Sequence, residues 1–338
     1  MKISLKIKLL IICPAFLAVL LFILSTLAWA EEIEDILQMS LGSQFKANFE
    51  AIVEEKVYLP ERCIEFKLKI IYKRPDFIYT ELLEPSAMKG RITIDDGKRR
   101  MEYIPLFKGV KILPSFFSPQ LKKSRQRMIR ILMDNFLVKK LPDQQLLGRE
   151  VYLFSILPPE SENSLLKLWI DKETLIPLKR EKYNFKGKLI FLSEYTALKT
   201  GQDFSLSKLL GKIPPPPDKE ISPVIFFDVE KIKPFVKFSL SLPRYCPPGF
   251  SFQQAELVDR DTVKLVYTNG INLITIFQRP RVNIDFHPHR RMRMGEVNIR
   301  FKEGGFGNTL VWDGKEKSIV LIGEVPFEEM VKIARSMK

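Results

Sequence analysis

Histidine is almost missing from this chain of 338 residues: His287 and His289 are the only two, and cysteine occurs three times. A hydrolase or transferase working near neutral pH pairs its nucleophile with a base, most often histidine. Here both histidines fall in one segment, DFHPHRRMR, and the chain has no Gly-x-Ser-x-Gly elbow beside them. Neither Cys63 nor Cys246 has neighbours that mark a reactive thiolate. An extended segment would put His287 and His289 on one strand face, a two-ligand start for a transition metal. No third ligand is evident and Pro288 separates the two, so a basic loop is the reading taken. The glycines of GGFGN (304–308) lack the Lys-Ser/Thr and following helix of a phosphate-binding loop. Asp95-Asp96 could serve as paired carboxylates, but a place at a hairpin tip beside Gly97 gives them a geometric role instead. Without an RNP-like or zinc-finger pattern, nucleic acid is not an expected partner. The expectation is a non-enzymatic protein with no catalytic residues, cofactor or metal.

A second long apolar run is also lacking. The first run decides the compartment: Lys2, Lys6 and Lys8 precede an almost wholly apolar stretch at 9–27, and Ala28-Trp29-Ala30 completes the pattern of a secretory signal peptide. A periplasmic or otherwise extracytoplasmic location follows from cleavage. Left uncleaved, the run of about 20 residues is long enough to anchor the chain in a membrane. Cys13 lies too early in it to accept a lipid. Removal of residues 1–30 leaves 51 Lys plus Arg against 40 Asp plus Glu, a net charge near +11. Such a surface suits anionic head groups, acidic glycans or an acidic protein segment, and equally an ordinary solvated lysine-rich surface. Of the two remaining cysteines, Cys63 and Cys246, an oxidising compartment permits a bridge, with two free thiols as the alternative.

Four prolines at Pro214 to Pro217 form the clearest break. They cannot donate backbone hydrogen bonds and stiffen a spacer. The chain is thus divided into residues 31–210, a linker at 211–219 and residues 220–338. The first part opens with a helical pattern from Glu31 to Leu41 and turns to strands, with Ile64, Phe66, Leu68 and Ile70 alternating against Glu65, Lys67 and Lys69. Asp96-Gly97 signals a type I′ hairpin, and Phe185 to Gly187 a second turn. Ser118 to Phe136 reads as a basic amphipathic helix capped by Ser118. In the second part Asn269-Gly270 and Asp313-Gly314 predict at least four antiparallel strands, closed by a helix carrying Met330, Ile333, Ala334 and Met337 on one face. Ile64, Phe66, Leu68, Ile70, Ile92, Ile94, Leu189 and Phe191 compose a large apolar sheet face. That face either forms a plain core or lines a cavity for an acyl chain.

The run from Asp134 to Leu198 resembles the sigma-E regulatory proteins of the MucB/RseB family. The resemblance rests on Gly148-Arg149, Leu168-Trp169-Ile170-Asp171, Thr174-Leu175-Ile176-Pro177-Leu178 and Gly187, and on Pro247-Pro248-Gly249-Phe250 through LVYTNGINLITIFQRP to GEVPFEEMVKIARSM. YKRPDFIYTELLEP and ITIDDGKRRMEYIP are similar to strands of the broader LolA/LolB-like lipoprotein-carrier group. Ser164 to Lys167 and Tyr267-Thr268-Asn269-Gly270 depart from the family pattern. The resemblance implies an α+β fold: a half-open antiparallel β-barrel with helices on its concave side, then a smaller α+β domain. It implies binding to the extracytoplasmic part of a membrane-spanning anti-sigma factor, negative regulation of an envelope-stress sigma factor, and sensing of lipid or lipoprotein. In such a mechanism the ligand binds the releasing arrangement more tightly than the holding one. The alternative is a lipid or lipoprotein carrier of the LolA/LolB type.

Overall fold

The computed structural model describes residues 32–337 apart from 43, 60, 216–223, 283, 285, 287–289, 295–296 and 305–306. The signal segment, both histidines, Gly305 and the last two linker prolines lie outside the described residues.

Helix α1 (32–41) leads into strands β1 (Phe49–Tyr58), β2 (Cys63–Lys73), β3 (Phe77–Glu84), β4 (Ile92–Asp95), β5 (Arg99–Ile104) and β6 (Gly109–Pro114). Helix α2 (Pro119–Asn135) follows, then β7 (Leu137–Leu146), β8 (Arg149–Leu157), β9 (Leu166–Asp171), β10 (Pro177–Tyr183) and β11 (Leu189–Thr200). These make one antiparallel sheet of eleven strands in the order β6-β5-β4-β3-β2-β1-β11-β10-β9-β8-β7. The chain starts mid-sheet, runs out to one edge, crosses on α2 to the other edge and returns until β11 pairs with β1. Laid flat, ten strand spacings would measure ~48 Å. A helix of 17 residues covers only ~25 Å, and the five residues flanking it add at most ~17 Å. The sheet must curl for the crossover to reach. Its outer strands do not pair with each other, so the curled sheet stays open.

The period-2 pattern sorts as expected. On one face Lys56, Lys67 and Lys69 meet Glu65, Glu54 and Glu50 across neighbouring strands. On the other, Phe154, Ile156 and Leu168 are buried under Leu37 of α1 and Ile129 and Leu132 of α2. Ser118 caps α2 as its sequence proposes, its hydroxyl accepting from the Leu121 N–H at 3.4 Å. The turn after β4 differs from expectation. Only Gly97, at φ 82°, has positive φ there, and Asp96 and Arg99 close the loop. Glycine in the first central position is the II′ pattern, and type I′ needs positive φ twice.

Helix α3 (Leu206–Leu210) ends this half. The second sheet holds β12 (Val224–Phe226), β13 (Ser251–Leu257), β14 (Val263–Thr268), β15 (Leu273–Pro280), β16 (Arg290–Met294), β17 (Val297–Lys302), β18 (Asn308–Asp313) and β19 (Lys317–Gly323). Its order is β12-β13-β14-β15-β19-β18-β17-β16, antiparallel throughout. Helix α4 (Phe327–Ser336) packs Met330, Ile333 and Ala334 into its core with Leu265, Ile276 and Leu321.

Candidate binding surfaces

Register decides which apolar residues meet. Ile64 pairs with Val57 and Val57 with Phe191; Phe66 pairs with Glu55, and Glu55 with Ser193; Leu68 pairs with Val53, and Val53 with Tyr195. Ile64, Phe66, Leu68, Ile70 and Phe191 thus share the concave face. Leu189 does not join them by register: a bulge before Phe191 pairs it with Tyr183, the neighbour of Phe191's partner Lys182, and so turns it to the other side. All six stay half-buried. Ile92 and Ile94 do not belong with them. Ile94 pairs with Tyr79 and Ile92 with Glu81, which alternate onto the opposite face. There both isoleucines are buried with Ile71 under Leu209 of α3 and Ile213.

Strand β10 adds Arg180 to the concave face. Arg180 pairs with Ser193 on one side and Leu168 on the other. Its guanidinium lies 4.7 Å from the centre of the Phe191 ring. Arg180 is exposed; the strands around it still desolvate the guanidinium and lower its pKa, with Glu55 on the same face pulling the other way. The signal was in LKREKY, where Leu178, Arg180 and Lys182 alternate with Lys179 and Glu181.

Helix α2 is also the seat of the second sheet. Ser124 Oγ donates to Gln254 Oε1 at 2.8 Å, and Gln253 Nε2 donates to the Ser124 carbonyl at 2.6 Å. Asn135 Nδ2 donates to the Gly249 carbonyl at 2.9 Å, and Lys182 Nζ reaches Glu324 Oε1 at 2.7 Å and the Ile271 carbonyl at 3.1 Å. Gly270, at φ 98°, lies so close to Leu132 that a Cβ would come within 2.4 Å of its Cα. Two hollows flank these contacts. One, of about 390 Å³, is lined by Phe136, Phe185, Pro247, Phe250, Val325 and Glu329. The other, of about 680 Å³, runs between Phe227 and the Lys122, Lys123, Arg127 and Arg130 face of α2.

The remaining sequence candidates have structural roles. Asp95 is fully buried, accepting from Ser115 Oγ at 2.7 Å and from the N–H groups of Phe116 and Gly97. Asp96 Oδ1 accepts from the Lys98 and Arg99 N–H groups, fixing the turn. Cys63 and Cys246 are free thiols, so the bridge is not formed. Cys63 is exposed, whereas Cys246 is half-buried against the second core. Arg149 grips Asp171 with two hydrogen bonds of 3.0 Å, and the Thr174 N–H and hydroxyl complete that carboxylate's shell.

The fold defines a class: an all-antiparallel two-sheet scaffold with an open curled sheet, joined through one basic helix. Comparison with known proteins finds solved structures of similar shape. Residues 241–337 match a family described as a domain of unknown function, DUF4367. No curated protein matches the chain. A crystal structure of MucB in complex with MucA(peri) is similar at TM-score 0.57 and 15% identity, over 90% of this chain and 97% of that one. The complex structure of Pseudomonas aeruginosa MucA/MucB gives TM-score 0.58 at 14% identity, over 91% and 98%. A crystal structure of MucB gives 0.52 at 14% identity, over 91% and 97%. The chain has a MucB-like fold through both sheets.

Proposed function

We propose that this chain is a non-enzymatic extracytoplasmic regulator. Its two sheets act as domains, residues 31–210 and 220–338, that together hold the exposed segment of a membrane-spanning anti-sigma factor, and lipid or lipoprotein on the LolA-like first domain favours release. The observation that carries the reading is the extent of the likeness: both sheets, in order, follow a protein solved with MucA, over nine-tenths of this chain. Shape and charge support it. Residues of both halves line each hollow, Phe136 and Phe185 with Pro247 and Val325 in the apolar one and the basic residues of α2 with Phe227 in the other, as a partner that touches both halves requires. The signal peptide supports an extracytoplasmic place, where such a partner exposes its outer segment. The open concave face favours a second reading, a carrier of acyl chains.

A crosslinking pull-down of the tagged full-length protein from its own envelope fraction tests this, with protein and lipid mass spectrometry on one eluate. A single-span anti-sigma protein in near-stoichiometric amount is the expected result. Lipoproteins or lipid without such a protein would replace the regulator with the carrier.

A further inference from the structure

Four strands end the two sheets, β6 and β7 in the first and β12 and β16 in the second. Each offers unpaired backbone N–H and C=O groups, a template for a further strand that proteins ordinarily blunt. Strand β12 has three residues, β7 carries Pro142 and a register shift between Leu141 and Gln144, and β6 begins at Gly109 and ends on Pro114. Proline withholds a donor from the ladder. Strand β16 has none of these devices: its five residues, RRMRM, run in unbroken register along β17.

Charge marks this edge instead. From Arg281 to Met294 the chain has four arginines and one acidic residue, Asp285. Ile299 and Phe301 of β17 are buried in the core with α4, so Arg291 and Arg293 stand on the opposite face beside Arg300 and Lys302. Arg291 lies directly across from Arg300, and like charges so placed repel. Arg300 donates to the Ile284 carbonyl at 2.9 Å and reaches Asp313 at 3.4 Å, a carboxylate that Ser318 Oγ also occupies. Arg290 and Arg291 are exposed and have no ion pair among the described residues. An edge so charged rejects a second copy of itself, because pairing would set arginine against arginine. It suits a strand whose alternate residues are acidic. Backbone groups then extend the ladder, and carboxylates two residues apart fall beside Arg291 and Arg293, whose planar guanidinium forks match them.

We propose that β16 is a docking edge for an extended acidic segment of another protein, which adds to the second sheet as a ninth strand. Docking there needs only the second sheet and is independent of the proposed function.

The test titrates the purified full-length protein with short fluorescein-labelled peptides, reading affinity by anisotropy and location by hydrogen exchange. The probes are an alternating glutamate–valine peptide, the same peptide with its amides N-methylated, and an alternating lysine–valine peptide. The glutamate–valine peptide should bind and slow exchange across Arg290–Met294, whereas the lysine–valine peptide should not bind. N-methylation removes every hydrogen bond the peptide donates to the ladder and should weaken binding roughly tenfold or more. Arg291→Glu puts repulsion in place of an exposed ion pair and should weaken it about fivefold. Because the same change turns the repulsion with Arg300 into attraction, Arg291→Glu should melt no lower than wild type. No binding, equal affinity for the N-methylated peptide, unchanged affinity or a lower melting temperature in Arg291→Glu, or protection at α2 and not at β16 would overturn the proposal. Protection of β16 by phosphatidylglycerol vesicles and not by the peptide would replace the acidic strand with a lipid surface.

Discussion

Asp171 ends β9 with its carboxylate buried and both oxygens occupied, by Arg149 on one side of the turn and by Thr174 on the other. Asp171→Ala would strand Arg149 with only Glu173, which it also contacts at 2.6 Å. Removing one partner of a buried pair costs 3–5 kcal/mol; with Arg149 partly exposed, a loss of about 3 kcal/mol is expected in urea denaturation. A loss under 1 kcal/mol would make the pair ornamental. The Gly148-Arg149 and Leu168 to Asp171 motifs were plain in the sequence, but their cause, a salt-bridged knot between two hairpins, needed coordinates. The cysteines make a second case. Cys63 is exposed, while burial raises the pKa of Cys246. Since the thiolate is the reactive form, the chain lacking residues 1–30 should show two free thiols, with Cys63 alkylated first by iodoacetamide at neutral pH. Equal rates, or no free thiol, would contradict that arrangement.

The hairpin of β14 and β15 was legible from Asn269-Gly270, but the reason for the glycine was only half so. Turn geometry asks for positive φ, and the tip also presses on the α2 backbone at Leu132. Gly270→Ala meets both demands at once. The left-handed conformation alone costs about 1–2 kcal/mol, and the clash should push the second sheet away from α2. The expected result is a larger radius of gyration by small-angle scattering and faster limited proteolysis, with the far-ultraviolet circular dichroism intact. An unchanged scattering profile would mean that the tip can shift without opening the seam. The same limit explains Ile92 and Ile94. Alternation within β4 shows two faces, but only its register with β3 tells which one meets Ile64 and Phe66 and which lies under α3.

Strand order was the least legible property, because β1 with β11 joins segments some 140 residues apart and no local pattern encodes that pairing. Its consequence is large: the order makes α2 a crossover, and so sets its Ser124 side against the second sheet and leaves its basic face exposed beside Phe227. Lys122, Lys123 and Arg127 have no ion pair among the described residues, and Arg130 has only Glu34, at 4.0 Å. If the proposed partner segment is acidic and lies in this groove, its capture is electrostatic and screened by salt. At ~0.5 kcal/mol per exposed pair, reversing Lys122, Lys123 and Arg127 to glutamate should cost about tenfold in capture. Wild-type capture should also fall as sodium chloride rises. Phe185, exposed at the rim of the apolar hollow, gives the counter-test, since loss of apolar contact is not screened. Phe185→Ser should weaken capture by a factor that does not change with salt. Capture that ignores both salt and the charge reversals, yet fails in Phe185→Ser, would move the partner from the basic groove to the apolar cleft.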